Sequence, residues 1–516
     1  MITNETRTKN TSKGIVWGLI YKSASILLPF ISRTIIIVYL GVEYTGLGSL
    51  FTSILQVLSL AELGVGHALV FSMYKPVAEN DIESINAYMA FYKKCYRIIG
   101  VLILSLGILL VPFIPVLVKS DIPDGVNLYI LYGIFLGNTV ISYFLFSYKT
   151  SVIIASQRMD IINRVYLFCF IGQQIIQIIL LIVFRNYYLF VIVIPLNTII
   201  NNLTINYIVK KTCPEIDCKG KLDQKEINVI KDIVSGMMFQ KIGSVVLSSV
   251  DTVVISAFLG LRLLGIYNNY YYIIAALFAF LAIINNSVIP SVGNNIQTHD
   301  LDSNYSVFRL YSFMYSWVVI FCAACLLSLY QPFMRLWVGE KYLLDFRMVM
   351  LLTGYFVIWK IVDPVYVFRD ASGGWKEYKF IPMLAAGINL ISNIILVQII
   401  GLYGIVISTM IAFIVIYVPF FSFPLFNTYF RSIEKYRRYL FDQIKTVLVA
   451  MIVVSATYFG TSWITGNSVI EFVKKAMLCF VESSVLLFLV YFRDNDFVLT
   501  KNFVENSIIK KLIFKG

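Results

Sequence analysis

The long apolar runs limit what this chain can fold into more than any other feature. About fourteen stretches reach the roughly 20 residues a helix needs to span hydrocarbon. They fall near 14–40, 45–73, 96–118, 126–150, 162–184, 187–209, 233–259, 264–292, 309–334, 346–368, 378–398, 402–425, 442–464 and 471–492. Hydrophobic residues make up 59% of the chain, outside the range of soluble domains. The runs are continuously apolar rather than alternating, which excludes a β-barrel. The fold class that follows is an all-α polytopic membrane protein.

A second feature organises these spans. Residues 14–48 and 233–267 match without a gap at a constant offset of 219, the step from Gly41 to Gly260. Lys22 falls on Lys241, Ser25 on Ser244, Leu28 on Leu247 and Ile36 on Ile255. The copies end as Tyr39-Leu-Gly-(x4)-Gly46-Leu and Phe258-Leu-Gly-(x4)-Gly265-Ile. About six spans separate the two starts, so both copies begin on the same face. The repeat is therefore parallel, about an axis along the membrane normal. The expected layout is two six-helix lobes, 1–209 and 233–428, joined by a cytoplasmic linker over 210–232. Two further helices and a cytoplasmic tail follow in 429–516. A central cavity between the lobes is expected.

Net charge is +13, but the placement of the basic residues argues against nucleic acid. Loops on the N-terminal side hold about 30 of the 42 Lys and Arg, and the other side about 8, the positive-inside asymmetry. Both termini are then cytoplasmic. Arg335, Lys341 and Arg347 dissent, on the expected outer side. The thirteen polar residues before a span of about 27 do not read as a cleavable signal. The seven cysteines do not form a disulfide framework, and with only His67 and His299 in the chain no metal site or cofactor is expected. The segment 74–95 reads as the longest loop between spans, with a short amphipathic piece. Pro29, Pro290, Pro332 and Pro364 read as breaks in spans 1, 8, 9 and 10.

Charges inside spans are expensive unless they meet water, a counter-ion or a substrate. At 1.5 Å per residue, Lys22 and Lys241 each lie about 12 Å in from the cytoplasmic end of their helices. Lys360 lies about 13 Å in and Glu62 about 16 Å in. These four are the candidate substrate-binding residues, a cationic belt with one carboxylate. Arg33 and Asp251 lie about 28 and 27 Å along spans 1 and 7, and are the candidate pair that closes the outer side. Local readings stay open. Lys360 and Asp363 are spaced i,i+3 to pair with each other. Lys22 is within snorkelling reach of the interface, Glu62 can neutralise Lys22, and Arg33 can reach headgroups unaided.

The stretch Leu60-Ala-Glu-Leu-Gly-Val-Gly-His-Ala-Leu-Val-Phe-Ser-Met-Tyr-Lys-Pro-Val-Ala-Glu79 resembles bacterial Wzx-type polysaccharide flippases, and so do the Tyr39-Leu-Gly turn and the six-six-two layout. Those proteins belong to the multidrug/oligosaccharidyl-lipid/polysaccharide exporter superfamily. The resemblance implies flipping of undecaprenyl-pyrophosphate-linked oligosaccharide repeat units across a bacterial cytoplasmic membrane, for capsule or O-antigen-like polymers. It implies alternating access, coupling to H+ or Na+ as in several members, and a polysaccharide polymerase as partner. It also implies basic cavity residues early in each lobe, where Lys22, Arg33 and Lys241 stand. Lys is not equivalent to Arg for bidentate phosphate binding.

Two other readings compete. A cation-drug exporter of the same fold would favour a carboxylate-dominated cavity. A membrane polysaccharide polymerase or glycosyltransferase would require a large catalytic loop. No P-loop pattern is present for an ATP-driven pump, and the chain is not expected to be an enzyme.

Overall fold

The computed structural model describes residues 7–62, 64–374 and 376–504. The first six residues, Leu63 inside the 60–79 motif, Trp375 and the tail beyond Val504 lie outside the described residues. Among the described residues every regular element is a helix. Helix is what a bilayer demands, because it satisfies each backbone N–H and C=O within its own segment.

The chain separates into two compact units, Met1–Asn268 and Asn269–Gly516. In the first unit α1 is Arg7–Tyr39, α2 Val42–Leu58, α3 Val65–Glu79, α4 Ile82–Leu110 and α5 Leu128–Phe144. They are followed by α6 Thr150–Ala155, α7 Met159–Phe184, α8 Tyr187–Thr212, α9 Gln224–Leu259 and the opening of α10, Leu261–Thr298. The second unit takes the rest of α10, then α11 Leu301–Val338, α12 Phe346–Lys360, α13 Asp363–Ser372 and α14 Ile381–Ile400. It ends with α15 Leu402–Ala412, α16 Ile433–Thr461, α17 Val469–Tyr491 and α18 Asn495–Val504.

Among the described residues twelve helical stretches are long and apolar enough to cross a membrane, or thirteen with the bent pair Leu128–Phe144 and Ser147–Ala155, which meet at 49°. This chain is a multi-pass membrane protein. The expected fourteenth span coincides with α17, which carries Glu471, Lys474, Lys475 and Glu482 and so falls short of a wholly apolar segment. Polar side chains cap several helices where their first N–H groups lack partners. Asn127 Oδ1 accepts from the N–H of Tyr129 and Ile130 to start α5, and Asn186 Oδ1 does the same for Tyr188 and Leu189 in α8.

The structure corrects three local expectations. The segment 74–95 is not a loop. Helix α3 runs to Glu79, Asn80 takes a left-handed conformation (φ 54°), and Asp81 caps α4. Its polar residues Asn80 and Asp81 form the turn and the cap between the two helices. The backbone also stays helical through Pro29, Pro290 and Pro332. Only Pro364 stands at a true break, in the first turn of α13, where its missing N–H costs nothing. Third, span 2 breaks without proline. A short 3-10 turn, Ser59–Glu62, and Gly64 at φ +84° separate α2 from α3.

The repeat has a direct counterpart in the packing of the first unit. Gly46 and Gly265 are equivalent in the 219-residue frame, and so are Val42 and Leu261. A Cβ placed on Gly46 would overlap the Leu261 carbonyl oxygen and lie 3.2 Å from the Gly265 nitrogen. A Cβ on Gly265 would overlap the Val42 carbonyl oxygen and lie 3.0 Å from Thr45 Oγ1. Each glycine thus faces the backbone that the repeat assigns to the other. Small residues at such a crossing let helix backbones approach closely.

Candidate functional site

The break in span 2 places Glu62 where a continuous helix would not. Tyr96 Oη donates to Glu62 Oε1 at 3.1 Å, and Tyr143 Oη to Oε2 at 3.4 Å. Tyr92 Oη donates to Tyr96 Oη at 3.0 Å. The three rings stack edge to face, with centroids 4.5 Å apart for Tyr92–Tyr96 and 5.1 Å for Tyr96–Tyr143. Gly66 makes room for them, since a Cβ there would lie 2.7 Å from Tyr92 Oη and 2.9 Å from Glu62 Oε1. Lys241 on α9 completes the group, its Nζ 3.7 Å from Glu62 Oε2. Their side chains remain 33% and 23% exposed, enough for a ligand to reach either charge.

Lys22, the repeat equivalent of Lys241, is exposed on α1. Among the described residues its ammonium group has no carboxylate within salt-bridge reach, so Glu62 is bound to Lys241 and not to Lys22. Asp251 is buried and Arg33 is half-buried. Both lie in the first unit, and each has interaction partners.

The second unit holds a separate polar network at the α12–α13 break. Lys360 Nζ donates to Asp363 Oδ2 at 2.9 Å, and Asn285 Nδ2 and Tyr315 Oη donate to the same oxygen at 2.8 and 2.5 Å. Tyr311 Oη donates to Asn285 Oδ1 at 2.5 Å. Lys360 Nζ also lies 4.3 Å from the centre of the Phe278 ring. Both charges are buried. The i,i+3 reading therefore describes the geometry of Lys360, which is held by its own neighbours within its unit.

Lys149 and Arg369 are buried cations that the depth of charges along the chain did not single out. Lys149 lies at the bend of the α5–α6 pair, 5.6 Å from the Phe146 ring centre. Arg369 on α13 pairs with Asp370 at 2.6 Å and lies 4.8 and 5.3 Å from the Tyr366 and Phe421 ring centres. Aromatic neighbours in spans 10 and 12 were the available signal for Arg369. Lys149 had none beyond its place in an apolar run.

Charges are held at breaks in membrane helices, and the first unit keeps a carboxylate and two lysines partly accessible. No protein-family model matches the chain, and no curated protein matches it by sequence. Solved structures do match. The lipid II flippase MurJ, in an inward-closed conformation, aligns with a TM-score of 0.63 at 16% identity, covering 92% of this chain and 99% of its own. A multidrug resistance MATE family transporter of the MOP superfamily, in an inward-facing conformation, aligns with a TM-score of 0.59 at 12% identity, covering 86% and 98%. The MATE transporter VcmN of Vibrio cholerae aligns with a TM-score of 0.55 at 13% identity, covering 83% and 99%. The chain has the fold these proteins share.

Proposed function

We propose that this chain is a flippase that carries undecaprenyl-pyrophosphate-linked oligosaccharide units from the cytoplasmic to the outer leaflet of a bacterial cytoplasmic membrane, by alternating access between lobes 1–209 and 233–428. Its termini are cytoplasmic by the basic-residue asymmetry. The observation that carries the reading is Lys22, an unpaired ammonium exposed inside a membrane span, together with its repeat equivalent Lys241, which is only partly neutralised by Glu62. An isolated cation at that depth is costly. A lipid pyrophosphate would meet it in a hydrated cavity and relieve the cost. Lys360 contributes from the second unit only if the substrate displaces it from Asp363. Arg33 and Asp251 are assigned to closing the outer side. A MurJ-like fold supports a lipid-linked substrate, since MurJ is described as a lipid II flippase.

One observation favours a second reading. Glu62 and Asp363 each sit among tyrosines with a single lysine beside them. Carboxylates framed by aromatic rings also suit organic cations, and the MATE neighbours are named as multidrug transporters.

The test is polymer export in a host lacking its own flippase. Lys22→Ala and Lys241→Ala should each abolish export while the protein stays in the membrane, and Lys→Arg at either position should retain part of it. Glu62→Gln should be milder, because it frees Lys241. Full export by the double alanine variant, with lost resistance to a cationic dye in Glu62→Gln, would shift the assignment to the multidrug reading.

A further inference from the structure

A charged cavity lies in the second unit, away from Lys360 and Asp363. Its volume is about 580 Å³. It is walled by the end of α11, the start of α12, the end of α16 with the loop after it, and the first turns of α17. By span parity this is the face opposite the N-terminus, the expected outer side. Arg335 enters from α11 and Lys475 from α17. Lys475 is six residues into its helix, about 9 Å from its start, near the level of lipid headgroups.

Lys475 is poorly compensated. The residue is 93% buried by the complement of its 7% exposure. Its one hydrogen bond is a long one, Nζ to the Ile464 carbonyl at 3.4 Å, although an ammonium has three donors. Among the described residues no carboxylate lies within salt-bridge reach of it, and Arg335 is close enough to repel it. Arg335 itself turns outward. Its Nη1 donates to Asn467 Oδ1 at 2.8 Å, and its Nε lies 3.1 Å from Glu340, a carboxylate 71% exposed. The Ser328 hydroxyl is buried without a hydrogen bond. Glu471 is the one acidic residue in the lining. The lining thus carries two cations against one carboxylate; Arg335 is shared with Glu340 outside the lining, and the Lys475 ammonium and the Ser328 hydroxyl keep free donors among Leu327, Phe346 and Phe472.

A lysine at this depth ordinarily snorkels to water. Here it is directed into a cavity beside a second cation, an arrangement that an anion would complete. The donors match a tetrahedral oxyanion, which accepts from several N–H and O–H groups at once. Basic pockets between membrane helices take phosphate headgroups on this principle. We infer that this cavity binds a phosphate group, supplied either by an anionic phospholipid of the adjacent leaflet or by free phosphate. The site is independent of the transport reading above.

The test uses the full chain in nanodiscs. Discs of phosphatidylcholine alone are compared with discs containing phosphatidylglycerol, and inorganic phosphate is titrated into the former at constant ionic strength. Thermal midpoint and the number of lipids retained after extraction are read for wild type, Lys475→Met and Arg335→Gln. If the source is lipid, phosphatidylglycerol raises the midpoint and is retained, and each variant binds it about tenfold more weakly. If it is free phosphate, the titration gives a saturable rise that both variants lose. The inference is overturned if neither ligand produces a response that the variants remove; Lys475 then serves only to cap the Ile464 carbonyl. Should Lys475→Met fail to fold, Arg335→Gln and lipid retention decide alone.

Discussion

The reciprocal contact of Gly46 and Gly265 makes a demanding prediction about stability. Alanine at either position drives a methyl into a backbone carbonyl on the opposing helix, Leu261 in one case and Val42 in the other. Neither obstacle is a flexible side chain. Helices α2 and α10 must separate by on the order of 1 Å to restore ordinary carbon contacts near 3.5 Å. Forced overpacking of this kind costs about 1–3 kcal/mol. Because one separation relieves both clashes, the two costs should not add. Gly46→Ala with Gly265→Ala should cost little more than the worse single variant, an interaction energy of about 0.5–3 kcal/mol. Gly137→Ala is the control. It lies inside α5 with nothing within 4 Å of its added Cβ, and should be neutral or slightly stabilising. The assay is unfolding of the detergent-solubilised chain by heat and by titrated SDS. If Gly46→Ala and Gly265→Ala behave like Gly137→Ala, or if their costs add fully, the symmetric crossing is not a structural constraint.

Three further outcomes follow from the polar clusters. Gly66→Ala should push Tyr92 and Glu62 apart and loosen Lys241, seen as faster amine-directed labelling of Lys241 read by mass spectrometry. Asp363→Asn leaves Lys360 buried beside the Phe278 ring without its counter-charge and should cost about 3–5 kcal/mol, while Lys360→Met with Asp363→Asn recovers part of that loss in SDS unfolding. Burial pushes the Asp494 carboxyl up, but its hydrogen bonds with Lys445 and the Asp496 amide outweigh this and hold it below the ordinary carboxylate range. The stabilisation is then present above the unfolded carboxylate value of about 4, and is lost as pH falls through the lower folded value. Proteolysis of α18 should rise as pH falls through that lower range, and Asp494→Asn should expose α18 already at neutral pH.

What the sequence made legible was set by spacing along the chain. Apolar run length is a local property, so twelve of the spans could be placed before any contact was known. The 219-residue offset aligned Gly46 with Gly265, and the same two glycines meet across a helix crossing. The Lys360–Asp363 pair was readable for the same reason, because three residues of spacing keep the two within reach even across the turn between α12 and α13. Partners brought together by tertiary packing left no such mark. Nothing in the spacing of Glu62, Tyr96, Tyr143 and Lys241 announces that four different helical segments converge there. Proline misled in the opposite direction. In water a mid-helix proline is a strong break signal, but neighbouring helices can satisfy the freed carbonyl in a membrane protein. So Pro29, Pro290 and Pro332 are carried within helices, while the break that matters for Glu62 comes from a 3-10 turn and a left-handed glycine.

The two breaks have a common consequence. Each places one carboxylate where a helix stops, surrounded by tyrosine hydroxyls and faced by one lysine, in span 2 of the first unit and span 10 of the second. They differ in access. Asp363 and Lys360 are buried, whereas Glu62 and Lys241 keep a quarter to a third of their side-chain surface exposed. A buried pair resists exchange because either charge alone is costly. A partly exposed pair at 3.7 Å can trade its internal partner for an incoming anion at small cost. Substrate should therefore engage Lys241 before Lys360. Glu62→Gln should alter apparent substrate affinity, while Asp363→Asn should lower the amount of folded protein before it alters affinity. Equal effects of the two variants on affinity at matched protein levels would refute this ordering.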